Sequence, residues 1–141
     1  MALTIHCDIV SAEAQIFSGL VELLVASGSS GEMGVTYGHT PLLTDLTPGT
    51  VRGVLQGGEE EVYFVSGGYL EVQGDVVTVL ANTAVRGEDL DEEAAEAARK
   101  AAEEALANQS SELDYSLASA QLAEASARLA TLRKLKNRAG R

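Results

Sequence analysis

At Gly87 the chain turns from one kind of sequence into another, and that break limits the fold more than any other feature. Up to Arg86, short runs in which apolar and polar residues alternate are separated by Gly-Gly, Pro-Gly and Gly-Asp pairs. A period of two with glycine punctuation belongs to strands and their turns. Beyond Gly87 the strand formers disappear, and alanine, glutamate and leucine recur at spacings of three and four. That is the period of a helix. The chain is thus expected to be a β body over residues 1–86, a linker over 87–91, and a helical hairpin with a basic tail over 92–141.

In the first part, Leu3, Ile5, Cys7 and Ile9 point one way and Thr4, His6 and Asp8 the other, which predicts a strand with one wet face. Further strands are predicted over 19–26, 50–56, 61–66, 69–73, 76–81 and 83–86. Pro48-Gly49, Gly57-Gly58, Gly67-Gly68 and Gly74-Asp75 are read as the turns between them. Many short strands with closely spaced turns predict an antiparallel β-sandwich or barrel. The stretch from Ser27 to Leu43 carries Gly28, Gly31, Gly34 and Gly38. It reads as tight turns and exposed loop, not as strand or helix. It holds one acid, Glu32, and one of the two histidines, His39. It is either a solvated hairpin connection or a contact surface.

In the second part, Asp89-Leu90-Asp91-Glu92 has the form of a helix start, with Asp89 as cap and Glu92 reaching back. The predicted apolar face of the first helix is Ala94, Ala97, Ala98, Ala101 and Ala105, closing with Leu106. Alanine favours helix strongly but buries little area. Residues 108–113 break the pattern, and Asp114 is placed as the cap of a second helix. Residues 115, 118, 122, 125, 129 and 132 form its apolar seam, widened by Leu117 and Leu135. Such a seam suits antiparallel packing on another helix.

Charge is divided as sharply as composition. All 21 acids lie in residues 1–127 with only four bases, while residues 128–141 carry six bases and no acid. An acidic body repels nucleic acid and anionic lipid, and the basic end suits an acidic protein surface or a helix C-terminus. The single cysteine excludes an internal disulfide framework, and no apolar run reaches the roughly 20 residues of a membrane span. Two histidines and one thiol make a metal site an unfavoured reading. There is no phosphate-cradling P-loop and no nucleophile elbow, so no catalytic residue is assigned.

Three blocks then fall together in order: HCDIVSAEAQIFSGLVE at 6–22, GEMGVTYGHTPLLTDLTPG at 31–49 and YFVSGGYLEV at 63–72, followed by VTVLANTAVRGEDLDEEAAEAA at 77–98. Over residues 3–136 the chain resembles the epsilon subunits of proteobacterial-type F-type ATP synthases. The resemblance implies an N-terminal antiparallel β-sandwich of two five-stranded sheets and a C-terminal two-helix antiparallel hairpin. It implies a non-catalytic rotor subunit at the cytoplasmic face of the cell's inner membrane, bound there only through its complex. Its sandwich would link the gamma subunit to the c-ring and support coupling. Its hairpin would change conformation and inhibit ATP hydrolysis.

Carried over, Ser27, Gly28, Ser29, Gly31, Glu32, Met33 and Gly34 would meet the polar loops of the c-ring, and Ser11 and His39 the gamma subunit. Arg128, Arg133, Lys134 and Lys136 would meet acidic segments of the alpha and beta subunits. Two departures stand out. Tyr37-Gly38-His39 replaces the usual Pro-Gly-His, which frees φ at that turn. Leu90-Asp91-Glu92-Glu93-Ala94-Ala95 matches a nucleotide motif of the form [IL]-D-x-x-R-A only in Leu90, Asp91 and its last alanine. Ala94 stands in place of the arginine, which argues against ATP binding and against the alternative reading of the chain as an ATP-sensing module.

Overall fold

A computed structural model describes the backbone of residues 3–108 and 112–139, and the side chains of 3–108 and 115–136. The chain divides into two compact units between Arg86 and Gly87.

The first unit has eight strands: β1 (Ile5–Ser11), β2 (Gln15–Gly28), β3 (Gly31–Val35), β4 (Leu42–Leu55), β5 (Glu60–Val65), β6 (Gly68–Gln73), β7 (Val76–Ala81) and β8 (Ala84–Arg86). They pair in the order β3-β2-β1-β7-β6-β4-β5-β8, and β2 also pairs with β4. That extra pairing closes the sheet on itself. The two 14-residue strands, β2 and β4, each serve both layers. One layer joins the first half of β2 to β1, β7, β6 and the start of β4. The other joins β3, the second half of β2, the rest of β4, β5 and β8. The result is a sandwich of two five-stranded layers.

Three expectations are corrected here. The glycine-rich stretch is not all loop, because Gly31–Val35 forms β3 and pairs with Leu24–Gly28. Pro48-Gly49 is not a turn between strands but lies within β4, where the pairing with β2 shifts register between Ala26 and Gly28. A proline is tolerated at such an irregularity because no ladder hydrogen bond is asked of it. Finally, the sheet is not wholly antiparallel: β1 and β7 run parallel, the chain between them having crossed to the other layer and back.

Between the layers the inward residues alternate along β1, the second half of β2, β6 and β7. Ile5, Cys7 and Ile9 of β1, Leu24 and Ala26 of β2, Leu70 and Val72 of β6, and Val77 and Val79 of β7 are all essentially inaccessible. Burying each large aliphatic side chain contributes about 1.5–3 kcal/mol. Burial pushes the Cys7 thiol up to about 12, so it is a packing residue and not a nucleophile. Gly68 has φ +140, and a Cβ there would fall on the backbone of Leu80 and Ala81. Only glycine lets β6 start this close to β7.

The second unit opens with a 3₁₀ turn (Gly87–Asp89), followed by α1 (Glu92–Ala107) and α2 (Glu112–Ala139). The N-cap of α1 is Asp91, not Asp89: its carboxylate accepts from the Ala94 N–H at 3.2 Å, while Asp89 ends the 3₁₀ turn. Asp114 likewise does not cap, since α2 already begins at Glu112. Of the predicted break at 108–113, residues 109–111 lie outside the described residues. The seam of α2 is as expected from Ala118 onward. Ala118, Ala125 and Leu129 are buried and Leu122 and Leu132 half-buried, but Tyr115 and Leu117 are exposed.

The face of α1 is displaced by one residue. Ala95 and Ala102 are buried, whereas Ala94, Ala97, Ala98, Ala101 and Ala105 are exposed. Of these, Ala94, Ala98, Ala101 and Ala105 line a shallow groove along the helix pair with Gln121, Glu124 and Arg128 of α2.

Candidate functional site

Two features of the sandwich stand out at its surface. The first is the tip between β2 and β3. Gly28 pairs with Gly31, leaving Ser29-Ser30 as a two-residue turn. Ser29, Ser30, Gly31, Glu32 and Gly34 are exposed. Gly28 is buried, and Met33 packs against the core. Of the seven predicted contact residues, Gly28 is thus inside the hairpin, and Met33 and Ser27 are half-buried. Ser30 stands with Ser29 at the apex.

The tip is fastened from the side by β4. The Ser29 N–H donates to the Asp45 carbonyl at 3.2 Å, and the Ser29 hydroxyl donates to Asp45 Oδ1 at 2.6 Å. Thr47 Oγ1 donates to the Ser27 carbonyl at 3.3 Å. Asp45 lies 16 residues from Ser29 in sequence, and it reaches the tip only because Gly28 pairs with Leu46.

The second feature is the outer face of the β2-β1-β7-β6-β4 layer. Register places Val10, Leu80, Tyr69 and Asp45 in one row across β1, β7, β6 and β4. Leu80 is 51% exposed, Tyr69 57%, and Leu43, the diagonal neighbour of Tyr69, 68%. Large apolar side chains this open on adjacent strands form an exposed apolar patch, the kind of surface found at interaction sites. The next rows mix polar side chains with the exposed Leu20 and Val76. The His6 ring donates from Nε2 to Asp8 Oδ1 at 3.0 Å, and the Ser18 hydroxyl donates to the same oxygen at 2.7 Å. Ser18 and His6 hold the Asp8 carboxyl below its ordinary value.

Ser11 and His39 are not neighbours. Ser11 ends β1 in the row of Ala81, Gly68 and Leu46, and it closes the β1–β2 turn by bonding with Ala14. His39 precedes Leu42, which pairs with Val72 at the other end of the layer. His39 closes a turn by donating its N–H to the Thr36 carbonyl at 3.2 Å, and its Nδ1–H donates to the Thr40 carbonyl at 2.7 Å. Gly38 takes φ +81. This is the type II pattern, with Tyr37 in the position where proline is preferred. The turn closes without the proline.

In the helical unit, Arg128 pairs with Glu124 at 3.0 Å and Lys136 with Glu92 at 2.5 Å, while Arg133 and Lys134 are exposed. Arg99 bridges Glu96 at 2.6 Å and Glu103 at 2.9 Å. Its bond and charge, with smaller contributions from Lys100 and Arg133, hold the Glu96 carboxyl below its ordinary value. Leu90 is half-buried, the Asp91 carboxylate is taken up by the cap, and Ala94 offers no cation. Among the described residues no three His, Cys, Asp or Glu side chains gather to hold a metal ion. No described helix is long and apolar enough to cross a membrane.

Residues 4–87 match the family described as the beta-sandwich domain of the ATP synthase delta/epsilon chain, and residues 88–133 match its long alpha-helix domain. The chain is 60% identical over 140 residues to an ATP synthase epsilon chain of Teredinibacter turnerae, covering 99% of both chains. Among solved structures, a chain of the Euglena gracilis mitochondrial ATP synthase (OSCP/F1/c-ring) superposes with TM-score 0.83 at 25% identity, over 94% of this chain and 82% of that one. A chain of the Tetrahymena thermophila mitochondrial ATP synthase central stalk and c-ring shares the fold, with TM-score 0.63 at 8% identity, over 90% and 95%.

Proposed function

The chain belongs to the epsilon-chain family of the F-type ATP synthase, whose place is in the central stalk, and on that premise we propose how its parts are used. The tip at Ser29, Ser30, Gly31, Glu32 and Gly34 meets the polar loops of the c-ring. The outer face carrying Leu43, Tyr69 and Leu80, with Ser11 at one end and His39 toward the other, packs on the gamma subunit. The subunit has no active site of its own. It sits at the cytoplasmic face of the membrane through its complex and supports coupling of proton flow to ATP synthesis.

The helical hairpin changes conformation and restrains ATP hydrolysis. There Arg128, Arg133, Lys134 and Lys136 meet acidic segments of the alpha and beta subunits, an attraction that weakens with salt. Nucleotide sensing has no support in the motif region, where the carboxylate caps a helix and the cation is missing.

The single observation that carries the reading is the fastened tip beside an open apolar face on one sandwich. A two-sided contact of this kind suits a subunit that joins two others in a rotor. The test is removal of residues 88–141 from the assembled enzyme. The truncated complex is expected to retain proton-coupled ATP synthesis and lose restraint of hydrolysis. Loss of proton coupling in a complex that still assembles would reverse the division of labour.

A further inference from the structure

The tip is the two-residue turn Ser29-Ser30, and the pair that closes it, at the end of the β2–β3 ladder, is between two glycines, Gly28 and Gly31. Glycine spans the widest range of backbone conformations, so such a turn is poorly directed by itself. A contact through which a rotor is driven needs the opposite property, a surface that keeps its direction. The direction is supplied from β4. Asp45 takes the Ser29 N–H on its carbonyl and the Ser29 hydroxyl on its carboxylate. Among the described residues no cation stands within ion-pair distance of that carboxylate, so it is turned to Ser29 and not to a salt bridge. Asp45 also lies opposite Tyr69 in register, at the end of the Val10-Leu80-Tyr69 row. One side chain thus joins the tip to the apolar outer face.

We propose that Asp45 is the positioning residue of the tip, fixing the angle at which Ser30 and Glu32 are presented relative to the Leu43-Tyr69-Leu80 surface. The inference rests on the reading of the tip as the c-ring contact. Asp45 acts on the tip through Ser29. The latch uses a charged acceptor at 2.6 Å, the stronger kind of hydrogen bond. An amide can accept the same bond at Oδ1, while a methyl group cannot.

The test uses the full chain, alone and in the reassembled enzyme. In the isolated chain, amide exchange at Ser29, Ser30 and Gly31 reads the latch alone. Asp45→Ala and Ser29→Ala are each expected to speed that exchange about tenfold, with the double variant no faster than either. Asp45→Asn is expected to restore most of the protection. In the reassembled enzyme, the ratio of protons moved to ATP hydrolysed is expected to fall with Asp45→Ala and to recover with Asp45→Asn, at unchanged melting temperature.

Unchanged tip exchange in Asp45→Ala overturns the proposal whatever the partner is. Faster exchange with unchanged coupling overturns the positioning role. A photo-crosslinking residue at position 30 reads the contact separately. An adduct with the c subunit supports the underlying reading, and an adduct only with another subunit overturns that reading while the exchange result on the latch stands.

Discussion

Lys136, near the end of the second helix, closes on Glu92 in the first turn of the first, Nζ to Oε2 at 2.5 Å. Three of the four basic residues expected to seek acidic neighbours in other subunits, Arg128, Arg133 and Lys136, therefore already have acids near them within their own hairpin. Arg133 adds to the positive field on Glu96, and Arg128 is paired along its own helix with Glu124.

Replacing Glu92 and Glu96 with glutamine removes that competition. Inhibition of ATP hydrolysis is expected to strengthen a few-fold at low ionic strength, and the difference to vanish at high salt as exposed charges are screened. Replacing Arg133, Lys134 and Lys136 with alanine is expected to act in the opposite direction. The stability of the chain should change little in either set, since both partners of the Lys136 pair are exposed. Titration of the hydrolysis rate against added subunit at several salt concentrations reads the effect. Equal inhibition by both sets at low salt would remove the electrostatic account.

The displaced alanine face has a sharp consequence. Ala102 is 2% exposed, and Ala102→Leu should overpack the helix pair and cost about 1–3 kcal/mol. Ala98→Leu, on the open side, should stay within about 0.5 kcal/mol. Hydrogen exchange across residues 92–107 distinguishes the two. The reverse ranking would restore the face read from spacing.

The carboxyl of Asp8 lies below its ordinary value because Ser18 and His6 donate to it. A depressed carboxylate stabilises the fold above its unfolded-state pKa, near 4, and loses that contribution as pH falls through the lower folded value. Thermal midpoints of the wild type between pH 7 and 3 should therefore fall more steeply at the acid end than those of Asp8→Asn. Parallel curves would mean that the Ser18–Asp8–His6 cluster contributes nothing to acid stability.

Tyr37 occupies the second position of a closed turn in which Gly38 supplies the positive φ. Tyr37→Pro is expected to raise stability by about 0.4–1 kcal/mol by restricting the unfolded chain. The midpoint of urea unfolding measures it, and a lowered midpoint would show that the turn needs a φ or an N–H that proline lacks.

What was legible in the sequence follows from how strongly each signal is local. β1, β6 and β7 alternate cleanly because one face is buried, so their period shows. β3 does not: GEMGV has little strand propensity, and it is made a strand by pairing with Leu24–Gly28, a tertiary effect. The face of α1 slipped because alanines stand at 94, 95, 97, 98, 101, 102 and 105. With one residue type on several sides, spacing has no contrast to follow, and only the partner helix decides. The cap moved for a related reason. Asp89 and Asp91 both qualify chemically, and the acid three residues on favoured the wrong one. At the tip, the glycines and Glu32 were visible as a surface, but Asp45 was not, because sheet register brings it to Ser29.

β2 and β4 each run unbroken through both layers. At about 3.4 Å per residue a 14-residue strand is on the order of 45 Å long. A sideways load on the β2–β3 tip is therefore carried as tension along covalent backbone, from one layer into the other. In an ordinary two-layer sandwich it would have to cross a side-chain interface. Layers that share their longest strands cannot slide apart, so the sandwich behaves as a stiff strut rather than as two plates held together by grease.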